Sequence, residues 1–177
     1  KTLLVRFGSL GERLWRLARG EDARRVVADQ APKSISHETT LAADTADPDL
    51  LRWHLWSLCE QVSARAKAHA LAGATVTLKL KRSDHTILTR RQTLATPTQM
   101  ADRLYRTALP MLRRDMDAGP FRLIGVGLSA LLPAQGSDAT GDLLAPESAR
   151  RLAAEQATDR IRARFGVKSI ILGRSLR

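Results

Sequence analysis

The chain has 177 residues, enough for one domain with a sizeable core plus appendages. Its apolar fraction of 44% is ordinary, but 29 Lys and Arg face 18 acids, a net charge of +11 that directs attention to nucleic acid or another polyanion. The single cysteine, Cys59, excludes an internal disulfide and a metal-binding cysteine pair, which fits a reducing, cytoplasmic compartment; without an 18-residue apolar run no membrane span is expected, and there is no signal-peptide pattern. The chain opens at Lys1 and enters mid-element, so it reads as a fragment of a longer protein.

Residues 1–31 read as a short helical unit. Phe7-Gly8-x-x-Gly11 punctuates its start, Leu10, Leu14 and Leu17 recur at helical spacing, and Gly20 stands where a helix would stop. Glu21–Pro32 reads as a linker. Lys33–Leu41, K-S-I-S-H-E-T-T-L, reads as a strand rich in β-branched residues. Alternation puts Ser34, Ser36, Glu38 and Thr40 on one face and Ile35, His37, Thr39 and Leu41 on the other. Such a strand is either an ordinary polar edge or a track of hydroxyl and amide groups along a phosphate backbone.

A first long helix is predicted over Pro48–Leu71. Asp47 is its N-cap, Pro48 takes the first helical position, and Gly73 ends it. Leu51, Leu55, Leu58 and Val62 form the inner face, with Trp56 and Cys59 beside it. Ala74–Lys81 is then a strand with Val76, Leu78 and Leu80 inward and Thr75, Thr77, Lys79 and Lys81 outward. A turn at Arg82-Ser83-Asp84 leads into a return strand over Thr86–Leu94, whose alternation is broken at Ile87 and Leu88 and suggests a bulge. Lys79, Lys81, Arg82, Arg90 and Arg91 make this hairpin strongly basic. A few cations keep an edge from aggregating, but this number exceeds that need.

A second helix begins with a capping box of Thr96, Pro97 and Gln99, and packs through Met100, Leu104, Ala108 and Leu112. Pro110 lies inside it. The final strand is Phe121–Leu132, with Ile124, Val126 and Leu128 on one face and Leu123, Gly125, Gly127 and Ser129 on the other. The predicted fold class is therefore α+β. A four-stranded, mostly antiparallel sheet in strand–helix–strand–strand–helix–strand order carries two helices on one face and leaves the other open. Pro133–Ala145 has linker composition. Glu147–Phe165 is a weakly apolar helix, with Ala153, Ala157, Ile161 and Phe165 at four-residue spacing.

Four separated segments resemble one family in order and spacing. R-F-G-S-L-G-E-R-L-W-R-L-A-R-G-E-D resembles the end of the helix-hairpin-helix-like thumb of bacterial Y-family DNA polymerases. K-S-I-S-H-E-T-T resembles the strand that opens their little-finger domain. D-H-T-I-L-T-R-R-Q-T-L and I-G-V-G-L-S-A-L resemble its hairpin and last strand. The nearest group within the family is the bacterial polymerase IV type. The resemblance implies three regions: 1–31 as the end of the thumb and a linker, 32–132 as a little-finger DNA-binding domain, and 133–177 as a C-terminal linker and helix.

The resemblance also implies what the open face does. It would lie along primer-template duplex, with Ser34, Ser36, Thr39, Thr40, Thr89 and Arg90 on phosphates and Lys79, Lys81, Arg82 and Arg91 adding charge. Arg91 stands where the family has a small residue, Gln92 where it often has Arg, and His85 replaces an aromatic. Gly141-Asp142-Leu143-Leu144 is similar to a relaxed sliding-clamp-binding peptide, in which Asp142, Leu143 and Leu144 would fill a groove; a staple for the next helix is the alternative. Translesion DNA-directed synthesis by the parent enzyme is implied, with Mg2+ as its metal. The S-x-D-E motif that would hold such metals does not occur here, and the four histidines have no ligand spacing. The fragment itself is expected to be non-catalytic and to hold no cofactor. The other function class is a non-catalytic, polymerase-derived accessory protein that binds DNA.

Overall fold

A computed structural model describes residues 2–25, 30–135, 138 and 146–175. It divides into two compact units, Lys1–Ala31 and Pro32–Arg177. In the first, α1 (Thr2–Leu17) is broken at Gly8, where φ is 54° and ψ is −135°. Only glycine takes that conformation without a steric cost, so the Gly-x-x-Gly pattern falls inside the element rather than before it. Gly20, at φ 76°, sits just past the last turn, where the sequence placed a stop.

The second unit is a four-stranded sheet in the order β1-β4-β2-β3, from β1 (Ser34–Thr45), β2 (Leu71–Arg82), β3 (Ile87–Thr98) and β4 (Phe121–Pro133). Every neighbouring pair is antiparallel. The two helices α2 (Pro48–Ala68) and α3 (Ala101–Arg114) cover one face. Toward them alternate Val76, Leu78 and Leu80 of β2 and Ile124, Val126 and Leu128 of β4, all fully buried. Leu51, Leu55, Leu58 and Val62 of α2 and Leu104, Ala108 and Leu112 of α3 meet them, and Phe121 closes the core. Trp56 is core as expected, edge-on to Tyr105 at 5.4 Å. Cys59 is completely buried, and that burial pushes its thiol far above the ordinary range.

Asp47 caps α2 as its position predicts, accepting from the Asp49 amide at 2.8 Å and the Leu50 amide at 3.4 Å. The far end of that helix differs from expectation. It stops at Ala68, and Ala70 takes the left-handed position at φ 52°. Gly73 is not a helix terminator; it lies within β2. A Cβ there would stand 2.5 Å from Leu128 Cγ and 2.9 Å from the Ser129 carbonyl, so close backbone approach is what requires glycine.

The second helix also starts later than the Thr96-Pro97-x-Gln99 pattern suggests. Thr96 and Pro97 belong to β3, an edge strand, where a missing N–H is tolerated. The irregularity expected near Ile87 lies instead at the other end, where pairing jumps from Thr75↔Thr93 to Gly73↔Thr98. Met100, the N-cap of α3, contributes no side-chain bond. The free amides of Ala101 and Asp102 donate to Glu155, at 2.8 and 3.2 Å. Orphan donors at a helix start need such an acceptor, and here a different helix provides it.

That helix is α4 (Pro146–Phe165), which packs on α2 and α3 as a third layer. The face it uses is not the Ala153–Ala157–Ile161–Phe165 stripe; Ile161 and Phe165 remain exposed. Glu155 and Asp159 take Lys67 at 2.7 and 2.5 Å, Arg162 reaches Glu60 at 3.0 Å, and Thr158 is buried. Arg174, from the segment after α4, pairs with Asp102 at 2.7 Å and lies over the Trp56 ring. A helix too weakly apolar to hold itself is thus held by charge-assisted bonds. No helix among the described residues is long and apolar enough to cross a membrane.

Candidate nucleic-acid interface

Antiparallel register brings directly opposed residues to the same face, so the open face can be read as four cross-strand rows. In order across the sheet they are Ser34–Ser129–Thr75–Thr93, Ser36–Gly127–Thr77–Arg91, Glu38–Gly125–Lys79–Thr89 and Thr40–Leu123–Lys81–Ile87. Hydroxyls dominate one end, cations and a carboxylate the middle, and the only bulky apolar groups, Leu123 and Ile87, lie in the last row. Gly125 and Gly127 keep the centre low. Thr75 and Thr93 hydroxyls are 3.4 Å apart, and Lys79 Nζ donates to Glu38 Oε2 at 2.8 Å. The described partners of α4 lie on α2 and α3, on the far side of the sheet.

Seven of the sequence-predicted residues are gathered by this surface: Ser34, Ser36, Thr40, Lys79, Lys81, Thr89 and Arg91. Three others are placed elsewhere. Thr39 is on the helix-facing side of β1, between the buried Ile35 and Leu41. Arg82 stands at the end of β2 and pairs with Asp84 in the turn at 3.2 Å. Arg90 is opposite the inward-facing Leu78, and its guanidinium donates to Asp115 Oδ1 at 2.8 Å. Asp115 is 9% exposed, so this is a shielded pair joining the sheet edge to the end of α3. Of the two adjacent arginines, Arg91 is the one presented on the open face.

Sequence reasoning missed Thr93. Its signal was available: if β3 alternates regularly from Ile87, Thr93 falls on the face of Thr89 and Arg91. It also gave Glu38 no role, though alternation had put Glu38 on that face. His85, at φ 70° in the β2–β3 turn, lies 2.7 Å from a guanidinium nitrogen of Arg122 rather than stacking as an aromatic would. The Thr86 amide donates to Asp84 and holds that carboxyl below its ordinary range. The peptide Asp142-Leu143-Leu144 lies outside the described residues.

Asp47 is committed to two amides of α2, Asp49 to Arg52 and Asp115 to Arg90. Among the described residues no three metal-ligating side chains converge.

Comparison with known proteins agrees with this architecture. Residues 32–143 match the impB/mucB/samB family C-terminal domain. The chain is 43% identical over 171 residues to DNA polymerase IV of Brucella melitensis, covering 97% of the chain and 38% of that protein. It is 44% identical over 171 residues to DNA polymerase IV 1 of Mesorhizobium japonicum, covering 97% of the chain and 39% of the relative. DNA polymerase IV of Caulobacter vibrioides is 43% identical over 177 residues, covering all of this chain and 43% of its own. The chain thus spans about two fifths of the length of the curated relatives it matches. Among solved structures, a Y-family DNA polymerase chimera of Dbh and Dpo4 superposes with a TM-score of 0.59 at 20% identity, over 74% of this chain and 38% of the other. That likeness speaks to the fold. The match over residues 32–143 shows the family: the chain belongs to the impB/mucB/samB family, and carries its C-terminal domain.

Proposed function

We propose that the open face of the sheet rests on the sugar–phosphate backbone of duplex DNA. The observation that carries this reading is the composition of the four rows. An exposed, low-relief surface of hydroxyls, glycines and cations, backed by a buried apolar face, complements a charged rod better than an apolar partner. Hydroxyls of Ser34, Ser36, Thr40, Thr75, Thr77, Thr89, Thr93 and Ser129 donate to phosphate oxygens, and Lys81 and Arg91 supply the charge. None of these groups is arranged to read base edges, so the grip is independent of sequence. Base-stacking aromatics, which single-stranded RNA readers use, do not occur in the four rows.

In this reading the chain is the DNA-gripping, C-terminal region of a translesion DNA-directed DNA polymerase. The parent enzyme acts on primer-template duplex in damage bypass with Mg2+, and works in the cytoplasm. Its metal-binding carboxylates belong to other parts of that enzyme. Asp142, Leu143 and Leu144 form a short peptide that engages a sliding clamp. The polymerase IV relatives support this assignment through 43–44% identity across nearly the whole chain.

The test is a fluorescence-anisotropy titration of this chain against labelled primer-template duplexes of unrelated sequence. With about two phosphates neutralised, by Lys81 and Arg91, log K should fall against log salt with a slope of roughly −2. Affinities for the different sequences should agree within about threefold, since only phosphate contacts contribute. A strong preference for one sequence, or a flat salt response, would overturn the reading.

A further inference from the structure

We propose that Glu38 is a built-in competitor for phosphate that holds Lys79 away from the bound duplex and so limits how tightly the face grips. This rests on the DNA reading above. In the four rows Glu38 is the one acid. A surface selected only for affinity to a polyanion has no use for a carboxylate at its centre. Glu38 Oε2 nevertheless accepts from Lys79 Nζ at 2.8 Å, with the two side chains 49% and 36% exposed.

The arrangement takes three strands. Glu38 is on β1 and Lys79 on β2, with Gly125 of β4 between them in the same row. The pair therefore bridges two inter-strand gaps of about 4.8 Å each. It can do so because position 125 has no side chain: a Cβ there would stand 2.8 Å from Glu38 Cβ. Glycine weakens a strand interior, and an exposed ion pair adds little stability in return. Stability therefore does not explain the trio, whereas control of charge on the face does.

The consequence is electrostatic. Counterion release scales with phosphates that are neutralised, and a paired Lys79 neutralises none. Glu38 also repels the nearest phosphates. The middle row contributes hydroxyl contacts at Thr89 but no net charge, so attraction comes from the flanking Arg91 and Lys81. A weaker hold suits a surface that must let duplex advance.

The experiment uses the whole chain, the duplexes above and three variants: Glu38→Gln, Lys79→Met and both together. Each should melt within about 3 °C of wild type, because the pair is exposed. E38Q should tighten binding about 5- to 10-fold at 0.1 M salt and steepen the log–log slope by about 0.9, the value of one added phosphate. The gain should fade toward 1 M salt. K79M alone should barely move the slope, whereas K79M in the E38Q background should return it to the wild-type value. The proposal fails if E38Q binds within twofold of wild type at an unchanged slope, or if K79M alone removes about 0.9 from the slope. If neither wild type nor E38Q binds duplex, the DNA reading itself falls; binding by E38Q alone would support both.

Discussion

The two faces of the sheet are made by the same four strands, yet each follows a different rule. On the helix side, Val76, Leu78, Leu80, Ile124, Val126 and Leu128 are fully buried and their positions are set by packing. On the open side, Ser, Thr, Gly, Lys and Arg fill most of the register positions, with Glu38, Leu123 and Ile87 among them. Because side chains alternate, one residue's displacement separates the two regimes. Arg90 and Arg91 are the plainest case. They have the same chemistry and adjacent numbers, but one is tied to Asp115 beside α3 and the other faces outward. Charge counted along a sequence therefore overstates the charge available to a ligand.

Substitutions that break this division should fall in a definite order. Phe121→Ala removes a fully buried ring and should cost about 3–5 kcal/mol of folding stability in a denaturant titration. A loss under about 1 kcal/mol would mean that the core is not packed as described. Arg90→Met should cost about 1–3 kcal/mol, because it leaves the shielded Asp115 carboxylate without its partner. Its salt slope for duplex binding should be that of wild type. Arg91→Met should do the reverse, changing stability by less than about 0.5 kcal/mol while lowering the slope by about 0.9. If the two arginine variants exchanged behaviours, the register of β3 would have to be wrong. Glu155→Ala should cost about 1 kcal/mol of folding stability, read as increased hydrogen exchange of the Ala101 and Asp102 amides that it caps.

The sequence made the central part of the fold legible because its signals there are local. Strict alternation in Thr75–Lys81 and Leu123–Ser129 assigns both faces without any knowledge of pairing. Asp47-Pro48 marks the start of α2 by a short-range bond. What failed depended on distant residues. Thr96-Pro97 suits a helix cap and an edge strand equally well, and the acceptor that decides the start of α3 is Glu155, more than fifty positions away. Gly73 fits a helix stop until Leu128 is placed against it. The docking side of α4 escaped because it is polar, and periodicity arguments look for apolar stripes. The same holds for the site. Alternation located Ser34, Ser36, Thr40, Lys79 and Lys81, but β3 is an edge strand with both faces partly open. Its hydrophobic pattern is weak, and only pairing with β2 shows that Arg91, not Arg90, joins them.

The seclusion of Cys59 has a practical corollary. The lone native thiol sits wholly inside the core and resists forming a thiolate, so maleimide reagents should pass it by while the protein stays folded. A cysteine introduced at Thr75 or Thr93 could then carry a dye or spin label by itself. Distances from that label to marked nucleotides would map the path of the duplex without any need to strip the natural sulfhydryl first.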